Sequence, residues 1–551
     1  MPDPRNALTI SASELMARIA AGEIDPVEHL RTQCEFARRM DEYLNAFIEL
    51  PESPEPEIET VQSRTNGDGG SGAFAGQADP EMLRGRRHLT GVPVSVKDIF
   101  TARGFCATAG SPILEGYRPP YDATVVARTR AAGNFVVGKT NLDEFAMGSS
   151  TETSAYGACR NPWDLGRVPG GSSGGGAASV AACQAAIGWG TDTGGSVRQP
   201  AALCGVVGYK PTYGLLSRFG LIAYASSLDS PSIFAKCALD VALLLNAVCY
   251  PDALDSTCSV PSPVPDFVAE SDPVYAKKPR IGVIKELTDT KLLHSGVAVQ
   301  LWSAIERMKS AGAEITEISF PMWDITLPAY YIMTTAECSS NLARFDGVRY
   351  GPDGHTDKGL MAMYLSRRGG ERGFGEETKR RILLGTYVLS AGYHDAYYNK
   401  ARALRRAITA EVARLCGEYD ALVCPTTLDP AFQIGERMED PVQMYMSDIA
   451  TVIANLAGTC AISLPCGLVP AKRSIMARED PLSKDAIAIG VTPELQNLCR
   501  NDKGEIELPV GFQMIGARYR DAKLLSLARW FEETTGYGYK IPPIALKMLA
   551  T

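Results

Sequence analysis

The sequence predicts an α/β fold, because segments of helical periodicity alternate with short β-rich apolar runs along the chain. Three stretches carry this reading. They are a pair of capped helices near the start, a helix-then-strand pattern over residues 125–139, and two strand-like runs at residues 461–465 and 508–512.

Ser11 and Glu14 form a capping box ahead of Leu15, Met16 and Ile19, with Gly22 as the stop. Asp25, Pro26 and Glu28 then open a second helix carrying Val27 and Leu30. From about residue 62 to 87 the apolar period vanishes and glycines cluster, which predicts an irregular surface insertion. The segment Gly91-Val-Pro-Val-Ser-Val-Lys97 alternates as a short strand and delivers a lysine at its end. Ala131-Ala-Gly133 closes the next helix before the buried-strand run Phe135-Val-Val137, and the small residues of 177–187 read as a further helix. Residues 467–507 predict a second irregular insertion. No repeat at solenoid periods and no linker divides the chain, so residues 1–551 read as one domain with two insertions.

Bulk properties narrow the function classes. The chain has 551 residues, 45% hydrophobic and 21% charged, enough to bury a large core. A net charge of -8 argues against a phosphate-gripping basic face over the whole surface. The 14 cysteines are scattered and form no C-x-x-C, which points to a reducing compartment and away from zinc or any other metal site. Without a signal peptide, transit segment or membrane-length apolar run, the expected location is the cytoplasm.

The richest stretch is Pro169-Gly-Gly-Ser-Ser-Gly-Gly-Gly176, followed by Thr191-Asp-Thr-Gly-Gly-Ser196. A phosphate-binding loop needs Lys and Ser or Thr after the last glycine, where Ala177 and Ala178 stand. A nucleophile elbow fits G-x-S-x-G literally but needs a strand before the serine and a histidine base. Residues 163–169 read as loop, and of five histidines only His394, beside Asp395, is suggestive. A flexible linker would not lead into an apolar helix and a second glycine turn.

A serine–lysine hydrolase uses every element. An amide carbonyl is a poor electrophile, so it demands an activated hydroxyl, a proton relay and an oxyanion site. Thr193, Gly194, Gly195 and Ser196 can turn backbone N–H groups toward an oxyanion, and the helix after Ser172 directs its positive end there. Lys97 serves as a base only if burial strips its charge; taken alone, a lysine is a solvated or ion-paired residue.

The segments Gly170-Gly-Ser-Ser-Gly-Gly175 and Asp192-Thr-Gly-Gly-Ser-Val-Arg-Gln-Pro200 closely resemble the amidase signature family, and the Ser172–Ser196 interval also matches. That resemblance implies a large mixed central β-sheet flanked by helices on both faces. It also implies a Ser–Ser–Lys triad, with Ser196 as nucleophile, Ser172 as bridging serine after a cis peptide, and Lys97 as base.

Residues 140–150, 205–214, 339–350 and 384–387 are similar to one branch of the family, the A subunits of glutamyl-tRNA(Gln) amidotransferases. The likeness implies hydrolysis of glutamine without a cofactor, and transfer of the ammonia to a B subunit in a complex of this chain with amidotransferase subunits B and C. ATP with Mg2+ would be used at the B subunit, and Glu-tRNA(Gln) would be held mainly there as well. It also places Arg381, Asp448 and Tyr330 at the glutamine's α-carboxylate and α-ammonium. An arginine fork suits a carboxylate and an aspartate suits an ammonium, although without the match both charges would read as surface groups. The alternatives are a stand-alone amidase acting on another small amide and a non-catalytic scaffold. Intact Lys97, Ser172 and Ser196 argue against the latter.

Overall fold

The computed structural model describes residues 5–65, 89–275, 277–350, 359–471 and 483–550. Eleven strands form one sheet: β1 Phe47–Glu49, β2 Pro93–Lys97, β3 Phe135–Thr140, β4 Ile187–Thr191, β5 Val207–Lys210, β6 Pro231–Ala235, β7 Arg280–Ile284, β8 Glu314–Ile318, β9 Ala421–Pro425, β10 Ala461–Pro470 and β11 Glu507–Ile515. Their spatial order is β1-β3-β2-β4-β6-β5-β10-β11-β9-β7-β8. The sheet is mixed. β2 runs parallel to both β3 and β4, and β7 parallel to β8 and β9, while the intervening pairs from β4 to β9 are antiparallel.

Every residue of β2, β3, β4, β5, β6 and β9 is buried, so helices and loops cover both faces there. The short strand read from residues 91–97 is β2, and it is buried throughout. Ser95 points to a covered face and shares a hydrogen bond with Ser179, which removes the cost of burying both hydroxyls.

The opening helices match their sequence signals. Ser11 caps Ala12–Ala20 by accepting from the Glu14 N–H, and Asp25 caps Pro26–Leu44 by accepting from the N–H groups of Val27 and Glu28. Other boundaries move. The helix expected over 177–187 spans Gly174–Ala181, and Ile187 already belongs to β4. Glycines at 174–176 are poor helix formers, but packing leaves no room for a side chain at Gly175 or Gly176. Of the first insertion, residues 62–65 end the helix Glu55–Thr65, and 66–88 lie outside the described residues. Of the second, 467–470 extend β10, and Lys484–Ala488 and Pro493–Gln496 are short helices; 472–482 lie outside the described residues. Pairing with β11 across a bulge carries β10 beyond its apolar half.

All 14 cysteines are free. Among the described residues no helix is long and apolar enough to cross a membrane, and no cluster of three His, Cys, Asp or Glu could hold a metal ion.

Candidate active site

Parallel pairing of β2 with β4 brings the ends of both strands together, and with them Lys97 and Thr191. The Lys97 side chain is fully buried. Its Nζ lies 2.8 Å from Ser172 Oγ, 2.8 Å from Ser173 Oγ and 2.9 Å from Thr191 Oγ1. No carboxylate ion-pairs with it among the described residues, whereas the equally buried Lys139 pairs with Asp98. Lys210 and Lys236 instead donate to backbone carbonyls, which only accept. Three hydroxyls are a different shell, because each can give or take a proton. The hydroxyl of Ser173 donates to the Thr191 carbonyl, so its oxygen accepts from Lys97. Among the described residues the proton of Ser172 has no such commitment.

Burial lowers the Lys97 pKa to about 7. Asp143, Asp229 and Asp192 pull the other way but are not in contact, so desolvation prevails. Each of these carboxylates is engaged elsewhere. Asp143 accepts from the N–H groups of Ser150, Thr151 and Thr153 and from the Thr153 hydroxyl. Asp229 accepts from the Thr193 hydroxyl and from the Tyr224 and Ala225 N–H groups.

The peptide Gly171–Ser172 is cis. Gln199 accepts from the Gly171 N–H and donates to the Ser149 carbonyl, tying this turn to the loop before it. A side chain at position 171 would meet Asp143 Oδ2 at 2.1 Å, so glycine is required there by packing.

Ser196 lies on the adjacent turn, and its carbonyl accepts from the Ser173 N–H. Lys97 and Ser172 are 0% exposed and Ser196 is 8% exposed, so accessibility rises from the amine to the outermost hydroxyl. Among the described residues the N–H groups of Thr193, Gly194, Gly195 and Ser196 donate to no protein acceptor. Four unspent donors on one buried turn form a ready site for a developing oxyanion. Gly195 adopts φ +135°, and a side chain there would strike Thr451 Oγ1 at 2.1 Å.

Beneath the turn, Arg198 spends all five of its N–H donors, on both Asp192 oxygens, the Thr451 carbonyl, Gln513 and Asn455. Thr451 in turn donates to the Gly194 carbonyl. A buried charge pair with every donor matched holds the turn rigid.

Arg381 and Asp448 come together on the other wall. Arg381, buried on the helix Glu376–Leu389, donates through Nε to Glu377 and through Nη1 to the Tyr224 hydroxyl. Its guanidinium carbon sits 5.2 Å from the Tyr331 ring and 5.3 Å from the Tyr445 ring, and these two rings stack on each other. Asp448 Oδ2 accepts from the Ser149 and Tyr331 hydroxyls. Burial raises its pKa to about 7, against the lowering effect of the Ser149 hydroxyl and Arg381. A cavity of about 200 Å³ opens here, lined among others by Ser149, Glu377, Arg381 and Tyr445. Ser196 is not in its wall; Thr451, bonded to both the Asp448 and Gly194 carbonyls, joins the two parts.

Tyr330 is buried with its hydroxyl against Gly194, while the neighbouring Tyr331 reaches Asp448. The sequence signals did not reveal Ser173, Thr191, Ser149, Tyr331 or Glu377. The adjacent serine was the available signal for Ser173, and the i,i+4 spacing to Arg381 was the one for Glu377; Thr191, Ser149 and Tyr331 sit far along the chain from their partners. His394 lies half-exposed on the surface beside Asp395.

A buried low-pKa amine touching a serine, a second serine nearer solvent and a turn of N–H groups with no protein acceptor among the described residues are the parts a serine hydrolase without histidine needs. The amidase family model matches residues 73–525, and the chain belongs to that family. Its relatives include the glutamyl-tRNA(Gln) amidotransferase A subunit of Gloeobacter violaceus, 44% identical over 542 residues, 98% of this chain and 99% of the relative. The corresponding protein of Thermobifida fusca is 49% identical over 84% of this chain and 90% of its own length. Among solved structures, the chain resembles the glutamyl-tRNA(Gln) amidotransferase A subunit of Thermotoga maritima, with TM-score 0.72, 34% identity and 98% coverage of both chains. It also resembles the peptide amidase of Stenotrophomonas maltophilia, with TM-score 0.75, 27% identity, and coverage of 98% of this chain and 99% of that one.

Proposed function

We propose that the chain is the glutamine-hydrolysing subunit of a tRNA-dependent amidotransferase, releasing ammonia for the conversion of Glu-tRNA(Gln) to Gln-tRNA(Gln) in the cytoplasm. The observation that carries this reading is the pair Arg381 and Asp448 set around Tyr331, with Arg381 in the cavity wall beside Ser149, the hydrogen-bond partner of Asp448: a guanidinium for an α-carboxylate and a carboxylate for an α-ammonium. Relatives with the same printed function over nearly the whole chain support it.

In this mechanism Ser196 Oγ attacks the carboxamide carbon while its proton passes to Ser172, and that of Ser172 to neutral Lys97. Negative charge on the amide oxygen is met by the N–H groups of residues 193–196, Thr193, Gly194 and Gly195 included. Protonated Lys97 returns a proton through Ser172 to the departing nitrogen, and ammonia leaves a glutamyl ester on Ser196. Water then repeats the sequence and frees glutamate. This hydrolysis takes no cofactor from the chain. ATP and Mg2+ act at the B subunit, which also holds most of the tRNA, with the C subunit completing the assembly.

Two groups set the acid side of the pH profile. Below about pH 7 Lys97 gains the proton it must be able to accept, and Asp448 loses the charge that binds an ammonium. Log kcat/KM for glutamine should therefore fall with a slope approaching two as pH drops, and for butyramide, which lacks both α-groups, with a slope of one. Equal slopes for both amides would remove Asp448 from ammonium recognition.

The test of the whole reading is Asp448→Ala in the tagged chain purified with its partner subunits. The KM for glutamine should rise about 30-fold or more while butyramide turnover stays within about threefold. Equal loss on both substrates would favour a stand-alone amidase with another specificity.

A further inference from the structure

Arg381 cannot orient itself. A guanidinium on a flexible stem presents any of three edges, and only a fork with one edge committed offers the remaining N–H groups in a fixed direction. That edge is committed to Glu377, one helical turn earlier, whose Oε1 accepts from Arg381 Nε at 2.8 Å. The same oxygen accepts from the Tyr445 hydroxyl at 2.8 Å, and Tyr445 is the ring stacked on Tyr331 beneath the guanidinium. The other carboxylate oxygen pairs with Arg380. Glu377 thus joins the fork, the aromatic platform and the outer arginine, and it lines the cavity while remaining mostly buried.

With Nε on Glu377 and Nη1 on Tyr224, Arg381 Nη2 is left without a protein acceptor among the described residues. We propose that Glu377 is the positioning residue of the recognition site, fixing the Arg381 fork so that its free N–H groups meet the substrate's α-carboxylate. This rests on the glutaminase reading above. Among the described residues Glu377 bonds to none of Lys97, Ser172 and Ser196, so its effect is expected on binding and not on bond cleavage.

The experiment compares Glu377→Ala, Glu377→Gln and Arg381→Ala in the full chain with its copurified partners, using glutamine and butyramide. Glu377→Ala should raise the KM for glutamine about 10-fold or more with kcat within about threefold, and change kcat/KM for butyramide by a clearly smaller factor. Glu377→Gln keeps a carbonyl oxygen that Nε can donate to, and should recover most of that loss. A KM within twofold of wild type in Glu377→Ala, while Arg381→Ala raises it, would overturn the positioning role and leave the glutaminase reading standing. Equal losses in Glu377→Gln and Glu377→Ala would make charge the cause and also overturn it. Wild-type enzyme that hydrolyses butyramide but not glutamine would instead defeat the underlying reading.

Discussion

Ser196→Ala should lower glutamine hydrolysis by about 10⁴-fold or more, because it removes the atom that forms the ester. The side chain it deletes is small and makes no side-chain hydrogen bond among the described residues, so the melting temperature should shift little. Ammonium salts supplied to the complex should restore amidation of tRNA, since only the source of ammonia is lost. Ester formation is checked by rapid quench and intact mass after mixing with glutamine: wild type gains a glutamyl adduct and the variant gains none. Turnover within about 10-fold of wild type would transfer the nucleophile's role to another group.

The second large effect lies at the base. Lys97→Arg keeps a basic side chain of similar length, yet should lose about 10³-fold or more, because a guanidinium holds its proton at every accessible pH and cannot receive another. It also forces a permanent charge into a pocket of hydroxyls with no carboxylate in contact, so the fold should lose stability. Lys97→Met separates the two consequences. It is neutral and similar in volume, so it should retain the fold while losing comparable activity, and a rise in pH should rescue neither variant. Activity of the methionine variant within about 10-fold of wild type would show that Ser172 passes its proton elsewhere.

These two effects were also the most legible in the chain. Ser172 and Ser196 stand in glycine-rich turns whose composition has few physical uses, and Lys97 ends a strand that is buried throughout. What stayed hidden depends on orientation. Tyr330 and Tyr331 are neighbours on one helix, and a step of about 100° decides which of them reaches a given wall. The structure gives Gly194 to the first and Asp448 to the second, a division that composition cannot express. Thr191 and Ser173 complete the shell of Lys97 through strand pairing between distant segments. Element limits slipped where tertiary packing outweighed propensity, as in the triple-glycine start of the helix Gly174–Ala181.

The saturated guanidinium of Arg198 has a further consequence. In the proposed mechanism bond breaking falls to residues between Lys97 and Arg198, whereas recognition draws on Tyr331, Arg381 and Asp448, and the two meet through Thr451, Ser149 and Tyr224. Because the Arg198 network is closed on itself, substitutions at Arg381, Tyr445 or Met444, none of which it contacts, are the ones expected to exchange one amide for another while the turn beside Ser196 keeps its shape.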